Sequence, residues 1–364
     1  MRVLMVSKIL VVGAYQRKLE LLARQPDIEL TCVVPPAWDG QRFEPTFLDG
    51  YRMLVAPIRF GRDFHFHHYP TLGTIARAVR PHIVHIDEEP YNLATFLALR
   101  HALAVGARPL FFTWQNLDRR YPPPFAWSER YVLRRSRYAI AGNAEAVGVL
   151  RRKGYRGPAA VIPQFGVDPE RFSPGDGAPR HGRPFTIGFL GRFEELKGLL
   201  ILLDAVAELP GDWRLRLVGG GPLQDELRAR AGRLGIADRM SIEPGVPSLE
   251  VPNVLRDLDV LVLPSLTRPN WKEQFGRVLI EAMACAVPVV GSDSGEIPNV
   301  IGDAGLIMPE GDSAALRDAL ARLMTNGVLR GSLAARGRRR ALARYTQQRV
   351  AEQTAAVYRQ MIEA

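Results

Sequence analysis

TIGFLGRFEELKGLLILLDAVAELPGDWRLRLVGGGP, residues 186–222, sets the fold class. A short apolar run at 186–190 ends at Gly191. A helical pattern follows over 197–208, and a second apolar run at 215–218 ends at Gly219, Gly220 and Gly221. Two short strands on either side of an amphipathic helix form a parallel βαβ unit, because a crossover helix is what returns a chain to the same end of a sheet. Downstream the pattern continues, with apolar runs at 240–243, 260–263, 287–290 and 305–308 and helical stretches at 224–234, 278–285 and 314–324. Upstream, runs at 3–6, 28–34, 83–86, 110–113, 138–141 and 160–162 alternate with helical stretches such as 93–105 and 128–135.

Between the two series lies SPGDGAPRHGRP, residues 173–184, rich in breakers and with little to bury. The expected architecture is α/β: two doubly wound, Rossmann-like domains facing across a cleft. The first domain is expected over 1–168, a linker over 169–184 and the second domain over 185–344. The last helix, within 345–364, is expected to pack back onto the first domain. Ligands of such sheets sit beyond the carboxyl ends of the strands.

A chain of 364 residues is long enough for two or three domains with their own cores, and 47% hydrophobic residues argue against disorder. The only cysteines, Cys32 and Cys285, sit in apolar runs and make no zinc or disulfide framework, which fits a reducing cytosol. The start, VLMVSKILVV, is interrupted by Lys8 and reads as a strand and loop rather than a leader. No apolar run approaches the roughly 18 residues of a membrane span, so a cytoplasmic protein is expected.

Charge is distributed unevenly. Residues 1–168 hold 23 Lys+Arg against 14 Asp+Glu, and the remainder holds 25 against 24. Basic clusters occur at Arg119-Arg120, at Arg130, Arg134, Arg135 and Arg137, and at Arg151-Arg152-Lys153. Such a face suits an anionic partner, such as the inner face of the plasma membrane with peripheral attachment. The competing explanation is the arginine-rich composition of a GC-rich genome. No nucleic-acid motif accompanies the charge, so nucleic acid is not an expected partner.

Candidate site residues follow strand ends. In EQFGRVLIEAMACAVPVV, residues 273–290, Glu273 sits in a loop, Phe275-Gly276 makes a turn and an apolar-periodic helix carries Glu281. Eight helical residues span about 12 Å, roughly the length of a nucleotide-sugar from sugar hydroxyls to ribose. The amides opening the helix, near Arg277, Val278 and Leu279, suit the diphosphate between them. The plain alternative is a solvated Glu before an amphipathic helix that carries one more. Arg192 and Lys197, bracketed by Gly191 and Gly198, can clamp a diphosphate and stabilise it as a leaving group.

Gly220, within LVGGGP, lets the backbone approach a ligand, although the dinucleotide spacing GxGxxG is absent. IEPGVP, residues 242–247, offers backbone near Val246 to a base edge. SDSGEIPNVIGDAG carries Gly295 and Glu296 in a turn. In the first half, Gly13, the run Asp87-Glu88-Glu89, and Gln115 and Asn116 of FFTWQN also follow strand ends. His65, His67 and His68 cluster in DFHFHHY, but no partnering carboxylate pattern marks a metal site, and none is expected.

Together these residues resemble the retaining glycosyltransferases of the GT-B fold, glycosyltransferase family 4, the group 1 transferases. The resemblance rests on GR…KG at 191–198, VGGGP at 218–222, LPS at 263–265, the two glutamates with EAMACAVPVV, and SGEIPNVIGDAGL. IPQFGVDPERF at 162–172 is similar to the family's interdomain segment. The resemblance implies that Arg192 and Lys197 neutralise the donor pyrophosphate and that Glu273 holds donor-sugar hydroxyls, aided by backbone from Gln274, Phe275 and Gly276. It further implies that Glu281 binds ribose and that Val246 lies near the base. The family's usual His after a first-domain strand is replaced here by TWQN, so Gln115 or Asn116, with Glu88, would contact donor sugar or acceptor.

The implied reaction moves a hexose from a nucleoside-diphosphate sugar, of UDP or GDP type, to an acceptor hydroxyl on a saccharide or lipid-linked saccharide, with retention and without cofactor or metal. Two other readings stand beside it: a nucleotide-sugar epimerase on the same architecture, and a catalytically silent sugar-nucleotide-binding scaffold. Nucleotide release measured with and without acceptors separates the three.

Overall fold

Two parallel sheets take up the alternating apolar runs. The computed structural model describes residues 1–175 and 182–363; residues 176–181, within the stretch read as a linker, and residue 364 lie outside the described residues. The chain divides into one unit of Met1–Gly166 with Gln347–Ala364 and another of Val167–Thr346.

The first unit runs β1 (Arg2–Val6), α1 (Arg17–Ala23), β2 (Glu29–Val34), a small ribbon of β3 (Ala37–Trp38) and β4 (Gln41–Arg42), β5 (Arg52–Val55) and α2 (Leu72–Val79). It continues through β6 (Ile83–Ile86), α3 (Leu93–Ala104), β7 (Arg108–Thr113), α4 (Phe125–Arg135), β8 (Tyr138–Ala141), α5 (Ala144–Arg152) and β9 (Ala159–Val161). Its sheet has the order β5-β2-β1-β6-β7-β8-β9. Central strands read as unbroken apolar runs because both faces are covered. Alternate side chains serve opposite cores: Val3, Met5, Cys32 and Leu110 on one face, Leu4, Val6, Val33 and Phe111 on the other. Strand β5, RMLV, went unread because it lies at the sheet edge with no residue fully buried.

The second unit runs β10 (Phe185–Arg192), α6 (Leu199–Ala207), β11 (Trp213–Gly220), α7 (Gln224–Arg233), β12 (Met240–Glu243), α8 (Val251–Arg256) and β13 (Val260–Leu263). It continues through α9 (Arg277–Ala284), β14 (Val289–Ser292), α10 (Ile297–Ile301), β15 (Leu306–Met308), α11 (Ser313–Thr325) and α12 (Gly327–Arg344). The order is β12-β11-β10-β13-β14-β15. Direction of winding reverses between β10 and β13, which opens a crevice at their carboxyl ends.

The final helix, α13 (Gln347–Glu363), belongs to the first unit. Its Val350, Ala351 and Tyr358 enter that core, the Tyr358 hydroxyl meets His85 Nδ1 at 2.7 Å, and Arg359 pairs with Asp27 at 2.8 Å.

Candidate active site

Local geometry in the second unit begins with glycine. Gly276 caps α9 from the left-handed region, at φ 74, so helical winding starts only at Arg277. Glu281 therefore stands about one turn into the helix. The eight-residue helical ruler expected from sequence is corrected: loop spans 273–276, and only 277–281 is helical. Gly198 breaks the chain in the same way at φ 67, leaving Lys197 on a single 3₁₀ turn before α6 rather than inside the helix expected over 197–208.

A cavity of about 840 Å³ opens at the crevice. Its walls are the carboxyl ends of β10 (Gly191, Arg192), β11 (Gly219, Gly220) and β12 (Glu243), the following Pro244, Gly245 and Val246, and the start of α9 (Gly276, Arg277, Val278). Lys197, Glu273 and Glu281 also line it. First-turn amides lie ahead of the i→i−4 ladder of a helix, so the opening of α9 presents a partial positive charge to this wall.

Glu273 and Glu281 have different environments. Glu273 is 8% exposed; its Oε2 accepts from Lys197 Nζ at 2.7 Å and from Ser265 Oγ at 3.0 Å. Lys197 Nζ also sits 4.7 Å from the centre of the Trp271 ring. Buried charge of this kind is tolerated when paired. Glu281 Oε1 lies 3.0 Å from Arg277 Nε, and burial pushes its carboxyl above the usual range while Arg277 draws it back. Arg192 is largely exposed and pairs with Glu194 at 2.9 Å. A surface pair of that kind is worth about 0–1 kcal/mol, so its guanidinium can turn to an anion at little cost.

Gly295 keeps Glu273 in place. It adopts φ 55, and a Cβ there would lie 2.1 Å from the Glu273 carbonyl oxygen; the next amide, of Glu296, donates to that same oxygen at 3.0 Å. Sequence spacing did not point to Ser265 or Trp271 as partners of this carboxylate and its lysine, because neither residue type carries the chemistry alone.

Not every expected residue lines the cavity. Gln274 is exposed, and Phe275 packs on Tyr345 with ring centres 5.8 Å apart. Leu279 is buried, and its amide donates to the Gly276 carbonyl at 2.8 Å, so it is occupied within the helix start.

Gly13, Glu88, Gln115 and Asn116 belong to the first unit. The space beside Gly13 is filled by its own chain: a Cβ there would fall 2.0 Å from Thr46 Oγ1, and its amide faces Glu44 at 3.4 Å. Glu88 is buried between Lys8, with which it pairs, and His67 Nε2 at 3.3 Å. Burial raises the Glu88 carboxyl, but Lys8 and His67 outweigh it and hold it at about 2. Next to it Glu89 is pushed up to about 7 by burial, although Thr113 Oγ1 and the Trp114 amide donate to it at 2.6 and 2.8 Å. Gln115 bridges Tyr121 and Lys153, each at 3.0 Å; Asn116 is buried. His67 is thus a close partner of Glu88; among the described residues no three His, Cys, Asp or Glu side chains gather to hold a metal.

A family model described as glycosyl transferases group 1 matches residues 184–326, which include this whole cavity. A GDP-mannose-dependent alpha-(1-6)-phosphatidylinositol monomannoside mannosyltransferase of Mycolicibacterium smegmatis is 30% identical over 342 residues, 86% of either chain. The chain belongs to the group 1 glycosyltransferases. A phosphatidyl-myo-inositol mannosyltransferase of Mycobacterium leprae is 40% identical to this glycosyltransferase over 188 residues, covering 50% of it and 48% of the relative, so the match spans about half of that protein's length. Among solved structures, Anabaena HepE in complex with UDP superposes with a TM-score of 0.79 at 18% identity, covering 99% of the glycosyltransferase and 100% of HepE, a likeness of fold. The fold is GT-B.

Proposed function

We propose that this glycosyltransferase moves a mannosyl group from GDP-mannose to a hydroxyl of a phosphatidylinositol-type lipid, with retention of anomeric configuration and without a metal. The observation that carries the reading is the pairing within one cavity of Lys197 with Glu273 and of Arg277 with Glu281, on either side of the opening of α9. The names of the mycobacterial relatives supply the donor and the acceptor class.

In this reading Glu273 accepts hydrogen bonds from mannosyl hydroxyls and Glu281 holds the ribose. Arg192, Lys197 and the α9 amides neutralise the diphosphate as the glycosidic bond breaks and negative charge grows on the leaving oxygen. That oxygen takes the acceptor proton on the same face, so the protein supplies position and field rather than a covalent nucleophile. No helix among the described residues is long and apolar enough to cross a membrane. The basic first unit is proposed to meet the anionic cytoplasmic face where the lipid resides.

Purified protein with GDP-mannose and vesicles containing phosphatidylinositol tests this directly. GDP release with mannosyl lipid formed only when the lipid is present supports it. Turnover equal with and without the lipid, or a preference for UDP-sugars, overturns it.

A further inference from the structure

A second cavity, of about 710 Å³, lies in the first unit at the amino-terminal ends of central strands, opposite their carboxyl ends. Arg2, Arg77, Arg80, His82 and Arg108 line it, and no carboxylate is among its described lining residues. Its floor is held by main-chain bonds. The His82 amide donates to the Arg2 carbonyl and the Arg108 amide to the His82 carbonyl, each at 2.9 Å, so three basic residues stand side by side at the starts of β1, β6 and β7.

The cations are fixed by groups other than acids. Arg2 Nε donates to the Arg80 carbonyl at 2.9 Å, and Arg108 donates to the Met361 carbonyl. The Arg2 amide donates to His82 Nδ1 at 2.9 Å, which leaves Nε2 as the proton-bearing nitrogen. Arg80 ends α2 in the left-handed region, φ 47 and ψ 57, where glycine or asparagine is the usual residue. A guanidinium stands there against backbone preference.

Charge at helix carboxyl ends gives the plain alternative. Helices α2 and α3 both end beside the cavity, and each offers roughly half a negative charge. Together they offset about one of the four guanidinium charges, so the cavity keeps a large positive excess that an anion would neutralise.

We propose that this cavity is a binding site for a phosphate-bearing ligand with more than one anionic group, distinct from the donor cavity of the second unit. Guanidinium forks match phosphate oxygens in pairs, and His82 Nε2–H adds a further donor. The same chemistry is available from a free phosphoester or from a phosphorylated lipid headgroup.

The test is calorimetric titration of the full chain, its donor site saturated with GDP, with inorganic pyrophosphate, alongside sedimentation with phosphatidylcholine vesicles with and without phosphatidic acid. One binding event beyond GDP is expected, weakened about tenfold or more in Arg77→Gln/Arg80→Gln. The charge-matched Arg317→Gln/Arg322→Gln on α11 of the second unit should bind as wild type. Arg80→Gly relaxes the left-handed backbone, keeps the fold and should weaken the same event. Pyrophosphate binding without vesicle capture identifies a free phosphoester. Capture by phosphatidic acid that Arg80→Gly abolishes identifies a headgroup. If neither probe binds, or both variants bind as wild type, the site is refuted.

Discussion

Lys197 Nζ stands 2.7 Å from Glu273 Oε2, and residues 76 positions apart are joined there in the wall of the second unit's cavity. Ammonium and carboxylate pair with each other, and Ser265 Oγ donates to the same carboxylate oxygen. On the proposed function, a bound donor would give each a second partner, phosphate for the lysine and a sugar hydroxyl for the glutamate. Lys197→Met should therefore lower kcat by about 10²–10³, the usual loss for a donor group aimed at developing charge, with a smaller change in KM for GDP-mannose. Steady-state kinetics checks this; an equal loss in kcat and in donor affinity removes the leaving-group role.

Gly295→Ala is expected to act through Glu273 although it touches no substrate. The new Cβ would lie 2.1 Å from the Glu273 carbonyl at a backbone φ of 55, so the loop must shift. Stability should fall by about 1–3 kcal/mol and turnover by more than tenfold, read by thermal unfolding and kinetics. Wild-type kinetics in this variant would show that the loop does not position the carboxylate.

How much of this was readable in the chain differs between the halves. In the second unit the informative residues follow strand ends in short, glycine-marked segments, so Arg192, Lys197, Glu273 and Glu281 could be named in advance, and all four line one cavity. Their immediate partners could not. Ser265 and Trp271 matter only because β13 and a short turn bring them beside Glu273 and Lys197. The start of α9 was also blurred, because apolar periodicity does not reveal that Gly276 lies at positive φ. In the first unit, Lys8, His67 and Glu88 come from three distant segments, and only the packed fold shows the Lys8–Glu88 ion pair with His67 beside it. Edge strand β5 carries too little buried surface to produce a readable pattern.

Glu89 predicts a pH dependence of stability. Its carboxyl ionises near the ordinary 4.5 when unfolded and near 7 when folded, so between those values the native state binds the extra proton. Stability from this group is full below 4.5 and is lost as pH rises through about 7, an effect on the order of 3 kcal/mol. Glu89→Gln removes the titrating proton and keeps an oxygen acceptor for the Trp114 amide, while Thr113 Oγ1 accepts from the new NH2 instead of donating. Chemical denaturation at pH 5 and pH 8 should show this decline in wild type and its absence in the variant; identical slopes would contradict the assignment.

Glu88 predicts the opposite sign. Held at about 2 by Lys8 and His67, it stabilises the native state above the unfolded value of 4.5, and that contribution disappears as pH falls toward 2. Glu88→Gln leaves the Lys8 ammonium, 4% exposed, without its carboxylate, at a cost of about 3–5 kcal/mol at neutral pH. Unfolding measured across the acid range checks both statements, and a neutral-pH stability equal to wild type would refute the pairing.

Calorimetric binding of GDP and of GDP-mannose to Glu273→Gln and Glu281→Gln probes most directly whether the two carboxylates hold opposite ends of the donor. Glu273→Gln should weaken GDP-mannose about tenfold and leave GDP unchanged, whereas Glu281→Gln should weaken both by similar factors. Equal weakening of both ligands by Glu273→Gln, or no effect of Glu281→Gln on either, would contradict the arrangement.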